Sequence, residues 1–151
     1  MFRGVNAINM DAKGRFALPT RYRDRIASIC DGLLIATVDP QERCLLIYPM
    51  PEWELIERQV DALSSFDPTA RRIKRMLMGH ASELEIDSAG RVLLPPLLRD
   101  YAQLDKKIVL LGQGKKFELW AEESWHKQMD DYLDDDAETG ALSEQIMQLS
   151  L

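Results

Sequence analysis

The chain has 151 residues, of which 46% are hydrophobic and 29% are charged, and its formal net charge is −6. This length allows one ordinary domain or two small ones, and the hydrophobic share is that of a globular protein with a core. The longest apolar stretches, at residues 33–36 and 108–111, are far shorter than the ~20 residues of a membrane-spanning helix. The N-terminal residues lack the apolar segment of a signal peptide, so we expect a cytoplasmic protein.

The acidic net charge is unevenly distributed along the chain. Residues 130–151 hold seven acidic residues and no Lys or Arg, and we expect this tail to be loose and solvated after Asp134. Residues 1–129 carry a net charge of +1, and residues 1–25 hold six basic and two acidic residues. The overall acidity therefore does not exclude nucleic acid as a partner.

In chain order, the first 80 residues predict strands at 5–10, 16–18, 33–38 and 44–48. A helix at 20–29 follows Pro19, and residues 39–42 form the turn of a hairpin. Two more helices follow. The apolar stripe of the first consists of Trp53, Ile56, Val60 and Leu63. The second begins with Asp67 as N-cap and Pro68 in its first turn, and its apolar residues are Ile73, Met76 and Leu77.

The second half predicts the same succession of elements. Strands lie at 84–86, 92–94, 108–111 and 117–120, with a helix at 96–104 and a hairpin turn at 112–115. Residues 11–24 align without a gap with residues 87–100, and seven of these 14 positions are identical. The identical pairs are Asp11/Asp87, Gly14/Gly90, Arg15/Arg91, Leu18/Leu94, Pro19/Pro95, Arg23/Arg99 and Asp24/Asp100. The last helix carries Trp125, Met129, Tyr132 and Leu133, and its Trp125 matches Trp53.

The chain is thus interpreted as a tandem duplication. We expect a first module at 5–52, a helical connector at 53–80, a second module at 81–124, and a C-terminal helix with the acidic tail at 125–151. The three apolar helix stripes are expected to serve as core or as interface surface.

The repeated Asp-x-x-Gly-Arg segment is the candidate functional motif. Gly14 and Gly90 allow a positive φ in each turn, and Asp11 and Asp87 are expected to cap their turns or to pair with their own arginines. Arg15 lies beside Lys13, and an Arg at a turn tip can read guanine in a DNA groove. The predicted DNA-binding residues are Arg15, Lys13, Arg3, Arg21, Arg23 and Arg91. The second copy is the weaker one, since Ala89 replaces Lys13 and Leu97 replaces Arg21.

A second basic cluster, residues 71–75, holds Arg71, Arg72, Lys74 and Arg75. It is interpreted either as a solvated helix face or as a contact surface for phosphates or an acidic partner. No metal site, catalytic residue or cofactor is predicted. Cys30 and Cys44 lack the spacing of metal ligands and are expected to be buried thiols. His80 and His126 accompany no candidate nucleophile and are expected to cap helices or to lie in the core.

Enzyme interpretations fit less well. The paired aspartates could suggest an aspartic-protease dyad, but each has an Arg that would keep it ionised. Residues 112–115 lack the spacing of a phosphate-binding loop.

Several of these motifs together resemble the bacterial MraZ family. They are residues 1–4 (MFRG), 11–15 (DAKGR), 18–23 (LPTRYR), 48–53 (YPMPEW), 79–82 (GHAS), 87–91 (DSAGR) and 117–120 (FELW). The resemblance covers essentially the whole chain. It implies an α+β fold of two tandem SpoVT/AbrB-like modules, a β-rich swapped-hairpin, double-psi β-barrel-like pseudo-dimer with flanking helices.

The resemblance further implies a cytoplasmic, nucleoid-associated transcription factor of the division and cell-wall gene cluster. Such a protein forms a ring-shaped homo-oligomer and binds repeated short boxes in double-stranded DNA. The alternative function is a ring-forming interaction protein that acts through protein partners.

Overall fold

The computed structural model describes residues 1–134 and 143–151. The strands are β1 (Phe2–Asn9), β2 (Arg15–Ala17), β3 (Leu33–Val38), β4 (Leu45–Pro49), β5 (Ser82–Glu85), β6 (Arg91–Leu93), β7 (Lys107–Gly114) and β8 (Phe117–Ala121). The helices are α1 (Thr20–Cys30), α2 (Met50–Asp61), α3 (Pro68–Leu77), α4 (Pro96–Tyr101), α5 (Glu122–Asp134) and α6 (Glu144–Met147). The predicted mixed α+β class is confirmed.

The two repeats exchange their first strands. Six strands form an antiparallel sheet in the order β1-β7-β8-β4-β3-β5. Strand β1 of the first repeat pairs with β7 of the second, and β5 of the second pairs with β3 of the first. The hairpins β3–β4 and β7–β8 meet at the centre, where β4 pairs with β8. The strand order is therefore the same when read from either edge with the repeats interchanged.

A second sheet consists of β2 and β6 alone. These two strands carry the residues that follow the Asp-x-x-Gly turns, and they pair with Phe16 opposite Val92. Both of these side chains are buried in the largest core cluster, which contains residues of both repeats. The repeats thus share one core, because neither could enclose its own apolar strand faces without the other.

The central sheet is apolar on both faces. Alternate residues of β3 and β4, such as Leu34 and Ile47, point into the shared core. On the opposite face Ile35, Leu46 and Tyr48 pack against Trp53 of α2, whereas Val109 and Trp120 pack against Trp125 of α5. Two-sided burial explains why these strands are nearly continuous hydrophobic runs in the sequence.

Several element boundaries differ from those expected from the sequence. Strand β1 begins at Phe2 rather than at residue 5, since the ring of Phe2 is buried against Tyr22 and Phe117. Strand β7 continues to Gly114, because β1 pairs with it along its whole length, so the loop predicted at 112–115 is mostly strand. The stripe on α2 ends at Val60, since the helix ends at Asp61 and Leu63 is exposed.

The C-terminal tail also departs from expectation where it is described. Residues 135–142 lie outside the described residues, but Glu144–Met147 forms one helical turn where we expected a loose segment. Its N-cap Ser143 accepts a hydrogen bond from the amide of Ile146. The expected N-cap Asp67 is confirmed, and its carboxylate accepts a hydrogen bond from the amide of Thr69 at 2.9 Å. No helix among the described residues combines the length and apolarity needed to cross a bilayer.

Candidate nucleic-acid interface

The two Asp-x-x-Gly-Arg turns have nearly identical geometry. The Asp11 carboxylate accepts hydrogen bonds from the amides of Lys13 and Arg15 at 3.0 and 2.8 Å. In the second turn Asp87 accepts from the amides of Ala89 and Arg91 at 2.9 and 2.8 Å. Both aspartates thus cap their own turns. These bonds need a side chain with an acceptor oxygen that is short enough to reach its own backbone, which Asp provides.

The same bonds keep both carboxylates ionised. The amide of Arg15 is the main cause that lowers the pKa of Asp11 below its usual value, and the amide of Arg91 does the same for the pKa of Asp87. The nearby guanidinium charges act in the same direction. The pair differs in one respect: Arg91 Nε lies 3.3 Å from the Asp87 carboxylate, and this is the one ion pair among residues 1–134 and 143–151.

The two turn glycines have a left-handed backbone and accept hydrogen bonds from the other repeat. Gly14 and Gly90 have φ values of +92° and +76°, which a residue with a Cβ rarely adopts. The carbonyl of Gly14 accepts a hydrogen bond from the amide of Leu94, and that of Gly90 accepts one from the amide of Leu18. Each turn is therefore hydrogen-bonded to the residue that directly follows β2 or β6 of the other repeat.

The arginines of the two turns lie on the solvent side of the ribbon, where Arg15 is half-buried and Arg91 is exposed. In the β2–β6 pairing Arg15 lies opposite Leu93 and Ala17 lies opposite Arg91, whereas Phe16 and Val92 point into the core. Because side chains alternate along a strand, Arg15 and Arg91 are diagonal neighbours on the solvent side of the ribbon. Such diagonal positions are about 7–8 Å apart. The exposed Lys13 precedes this ribbon in the first turn.

The remaining predicted cations take different places. Arg21 and Arg3 lie together near the start of β1, where the Arg21 guanidinium donates to the side chains of Asn6 and Tyr22. The Tyr22 hydroxyl donates to the carbonyl of Arg3, and Arg25 donates to that of Met1. The side chains of Arg3, Arg21 and Arg25 remain exposed. They form a basic patch around Tyr22 that includes no residue of the β2–β6 ribbon.

Arg23 packs against the turn of the second repeat. Its side chain is half-buried, its Nε donates to the carbonyl of Leu18 at 2.6 Å, and its guanidinium packs on Gly90. The equivalent Arg99 packs on Gly14 in the same way. Sequence reasoning assigned Arg23 to DNA and gave no role to Arg99. Both repeats have an arginine at this position after the Asp-x-x-Gly-Arg turn. This repetition was the sequence signal that could have indicated a shared structural role.

Two other expectations concern the histidines and cysteines. His80 lies 2.9 Å from the carbonyl of Met76 and thus caps the C-terminal end of α3, whereas His126 is exposed on α5. Both cysteines are free thiols, but Cys30 is only half-buried. Cys44 lies within 4.8 Å of carboxylate oxygens of Asp39 and Glu118, and burial together with these acidic groups raises its pKa. Its thiol is therefore protonated at neutral pH.

Comparison with known proteins agrees with this arrangement of two equivalent halves. The family described as "MraZ protein, putative antitoxin-like" matches residues 1–76 and again residues 77–143. The chain belongs to the MraZ family. Each match spans one repeat from its first strand onward, and together they cover nearly the whole chain.

Full-length relatives support the same membership. The chain is 52% identical over 151 residues to the transcriptional regulator MraZ of Marinomonas sp. (strain MWYL1), with 100% of both chains covered. It is 54% identical over 144 residues to that of Alkalilimnicola ehrlichii, covering 95% of this chain and 96% of the relative. It is 55% identical over 141 residues to that of Halorhodospira halophila, covering 93% of each. These MraZ relatives are similar over their whole length, which includes both turns.

Proposed function

We propose that the chain is a sequence-specific DNA-binding transcriptional regulator whose β2–β6 ribbon enters the major groove. The observation that carries this proposal is that Arg15 and Arg91, one arginine from each repeat, lie on the solvent side of the ribbon, where Arg15 is half-buried and Arg91 is exposed. A two-stranded ribbon fits the width of the major groove, and an Arg guanidinium can donate two hydrogen bonds to guanine O6 and N7. The name of the relatives as transcriptional regulators supports the same function.

The two turns contribute unequally in this proposal. Residues 11–15 carry a net charge of +1, whereas residues 87–91 carry none. Arg15 makes no ion pair among the described residues, but Arg91 is drawn toward Asp87. Arg15 and Lys13 therefore make the main contacts with bases and phosphates, and Arg91 makes a weaker one.

The N-terminal basic patch holds the phosphate backbone. The guanidinium groups of Arg3, Arg21 and Arg25 are exposed and lie on a rigid support, because Tyr22 is buried and hydrogen-bonded. Phosphate contacts fix the register of a protein on DNA without reading sequence. Arg23 supports the reading ribbon from within and has no direct contact with DNA in this arrangement.

The remaining parts of the proposal concern assembly and target. The exchanged strands are those of a swapped-hairpin, double-psi-like pseudo-dimer in which modules 5–52 and 81–124 act as two halves. Copies associate into a ring, so that several ribbons engage repeated boxes near the promoter of its own division and cell-wall gene cluster, and binding is strengthened by avidity. The protein would then act in the cytoplasm, at the nucleoid, without a cofactor and without catalysis.

The test is a gel-shift titration on the DNA upstream of the gene, at two salt concentrations. Arg15→Ala is expected to weaken binding by about 5- to 150-fold per site, the value of one bidentate base contact, and to abolish it for the assembled ring. Lys127→Ala removes an exposed cation of α5 and serves as the matched control, with unchanged affinity. Unchanged affinity of Arg15→Ala would refute the ribbon as the reading element.

The second candidate function is a ring-forming protein that acts through protein partners. The observation that favours it is the exposed apolar surface on and beside the helices, which includes Phe66 before α3 and Leu133 of α5. Capture of partners that survives DNase treatment and persists in Arg15→Ala would favour this second function. Binding of partners that is lost with the DNA would favour the first.

A further inference from the structure

Helix α5 is the counterpart of α2, yet its second half is uncovered. Both helices follow the last strand of a hairpin, and Trp53 and Trp125 occupy matching positions. In the first repeat Val60 is only 7% exposed. In the second repeat the matching residue is Tyr132, which is 61% exposed. The apolar stripe of α5 therefore packs on the sheet at Trp125, but its later residues extend beyond the edge of the sheet and are exposed.

This exposed stripe has a strongly acidic border. Met129, Tyr132 and Leu133 share one helix face, and Leu133 is 74% exposed. Asp130, Asp131 and Asp134 accompany it, and the last turn of α5 contains no basic residue. Acidic groups are unfavourable there, because the C-terminal end of a helix carries a partial negative charge. A cationic partner would relieve this repulsion.

The surface between α2 and α3 offers the complementary chemistry. Helix α3 buries Ala70 toward the body and has no acidic residue between Pro68 and Leu77. Its other side exposes Arg71, Arg72 and Arg75, none of which makes an ion pair in the part of the chain that the structure describes. Leu63 and Phe66, the latter 96% exposed, lie directly before this helix. We call this surface, residues 63–75, the elbow.

We propose that the exposed end of α5 docks on the elbow of a second copy of the chain, with Asp130 and Asp134 facing Arg71 and Arg75. The spacing supports this match, since each pair is one helical turn apart and so presents two like charges at the same separation. The apolar residues of α5 would cover Phe66, whose side chain is almost fully exposed in a single chain. Helix α3 already covers α2 within the chain, and a neighbour's elbow supplies a second helix to α5.

This contact is head to tail, because it joins two different surfaces. A heterologous contact leaves a free α5 at one end and a free elbow at the other, so copies add until a ring closes. The inference thus rests on the proposed ring and names the two surfaces that form it. It does not depend on the ribbon, since the residues of the contact are not those that meet DNA.

Charge reversal tests the contact without DNA, by light scattering during size-exclusion chromatography. One variant combines Asp130→Lys with Asp134→Lys, and another combines Arg71→Glu with Arg75→Glu. Each is expected to fall from the wild-type mass to that of one chain. The two exposed acids of β5 provide the matched control, Glu83→Lys with Glu85→Lys, whose mass is expected to stay unchanged. Circular dichroism checks that every variant keeps the wild-type fold.

Mixing the two reversed variants gives the decisive result. The first retains an intact elbow for the intact α5 of the second, and its reversed α5 carries charges opposite to those of the second variant's reversed elbow. An equimolar mixture is therefore expected to assemble with alternating chains, and its mass is expected to return toward that of the wild type. A single chain with all four reversals restores the pairing with opposite signs, and its mass is expected to return toward that of the wild type.

The outcomes separate this contact from the proposed function. Wild-type mass in both reversed variants, or a mixture that remains at the mass of one chain, would overturn the contact while leaving the ring in place. A wild-type protein with the mass of one chain would overturn the ring and the contact together. In either case the gel-shift experiment with Arg15→Ala still decides DNA binding.

Discussion

The guanidinium group of Arg23 lies against the Cα of Gly90, so closely that a Cβ at position 90 would come within 2.2 Å of the Arg23 Cζ. The same relationship recurs between Arg99 and Gly14, where a Cβ would lie 2.7 Å from Nε. Each repeat thus holds the turn of the other with an arginine from its own helix. The turn glycines are needed for this close contact as well as for their positive φ.

Gly90→Ala is therefore expected to lower the free energy of unfolding by about 1–3 kcal/mol, the cost of holding a residue with a Cβ in a left-handed conformation. The clash with Arg23 adds to this loss. Urea unfolding measures the change, and Ser88→Ala in the same turn is the control, with an effect within about 0.5 kcal/mol. Combining Gly90→Ala with Arg23→Ala should cost less than the sum of the single losses. Strict additivity would show that the contact is unimportant.

Arg23→Ala is expected to destabilise the protein more than Arg99→Ala. Arg23 Nε donates to the carbonyl of Leu18, and a hydrogen bond from a charged donor contributes about 1.5–3 kcal/mol. Arg99 Nε is buried and has no partner among residues 1–134 and 143–151, so its removal loses less. Thermal unfolding measures both variants. If Arg23→Ala keeps its melting temperature but loses DNA affinity, Arg23 contacts DNA directly.

Acidification is expected to weaken the two turns. The folded-state pKa values of Asp11 and Asp87 lie below the usual 3.8, so their contribution to stability is fully present above that pH. It is lost as the pH falls through the lowered folded-state values. Asp11→Asn keeps a cap acceptor but cannot titrate, so it should show a smaller loss of stability between pH 5 and pH 2.5 than the wild type. Equal pH dependence of urea unfolding would contradict this role.

Arg91→Ala is expected to reduce DNA affinity less than Arg15→Ala. The Arg91 guanidinium already forms an ion pair with the Asp87 carboxylate. Its turn has no second cation, whereas Lys13 accompanies Arg15 in the first turn. Gel-shift titrations of both variants at the same salt concentration give the comparison. An equal loss would mean that both repeats contact DNA equivalently. A lowered melting temperature of Arg91→Ala would show that its pairing with Asp87 serves stability instead.

Local patterns in the sequence predicted the elements and the turns. The Asp-x-x-Gly-Arg segment specifies its own geometry, because an Asp carboxylate reaches the amides two and four residues ahead and Gly accepts a positive φ. Asp67 before Pro68 likewise marks the beginning of α3. The comparison of residues 11–24 with 87–100 established the duplication. The turn geometry and the start of the helix depend on contacts between residues a few positions apart, and the duplication needs only a comparison of the sequence with itself.

Long-range packing decided what the sequence could not. Strand β1 extends to Phe2 because β7, more than a hundred residues later, provides its hydrogen-bonding partner. The difference between Arg15 and Arg23 also depends on the tertiary structure. Both are half-buried cations of one basic segment, but Arg15 lies on the solvent side of the ribbon and Arg23 packs on Gly90. Charge and spacing alone cannot separate an arginine that faces solvent from one that supports the fold. The sequence by itself determined two equivalent turns, whereas the exchange of strands between repeats brought their arginines onto one face, because only the pairing of β2 with β6 buries Phe16 and Val92 together.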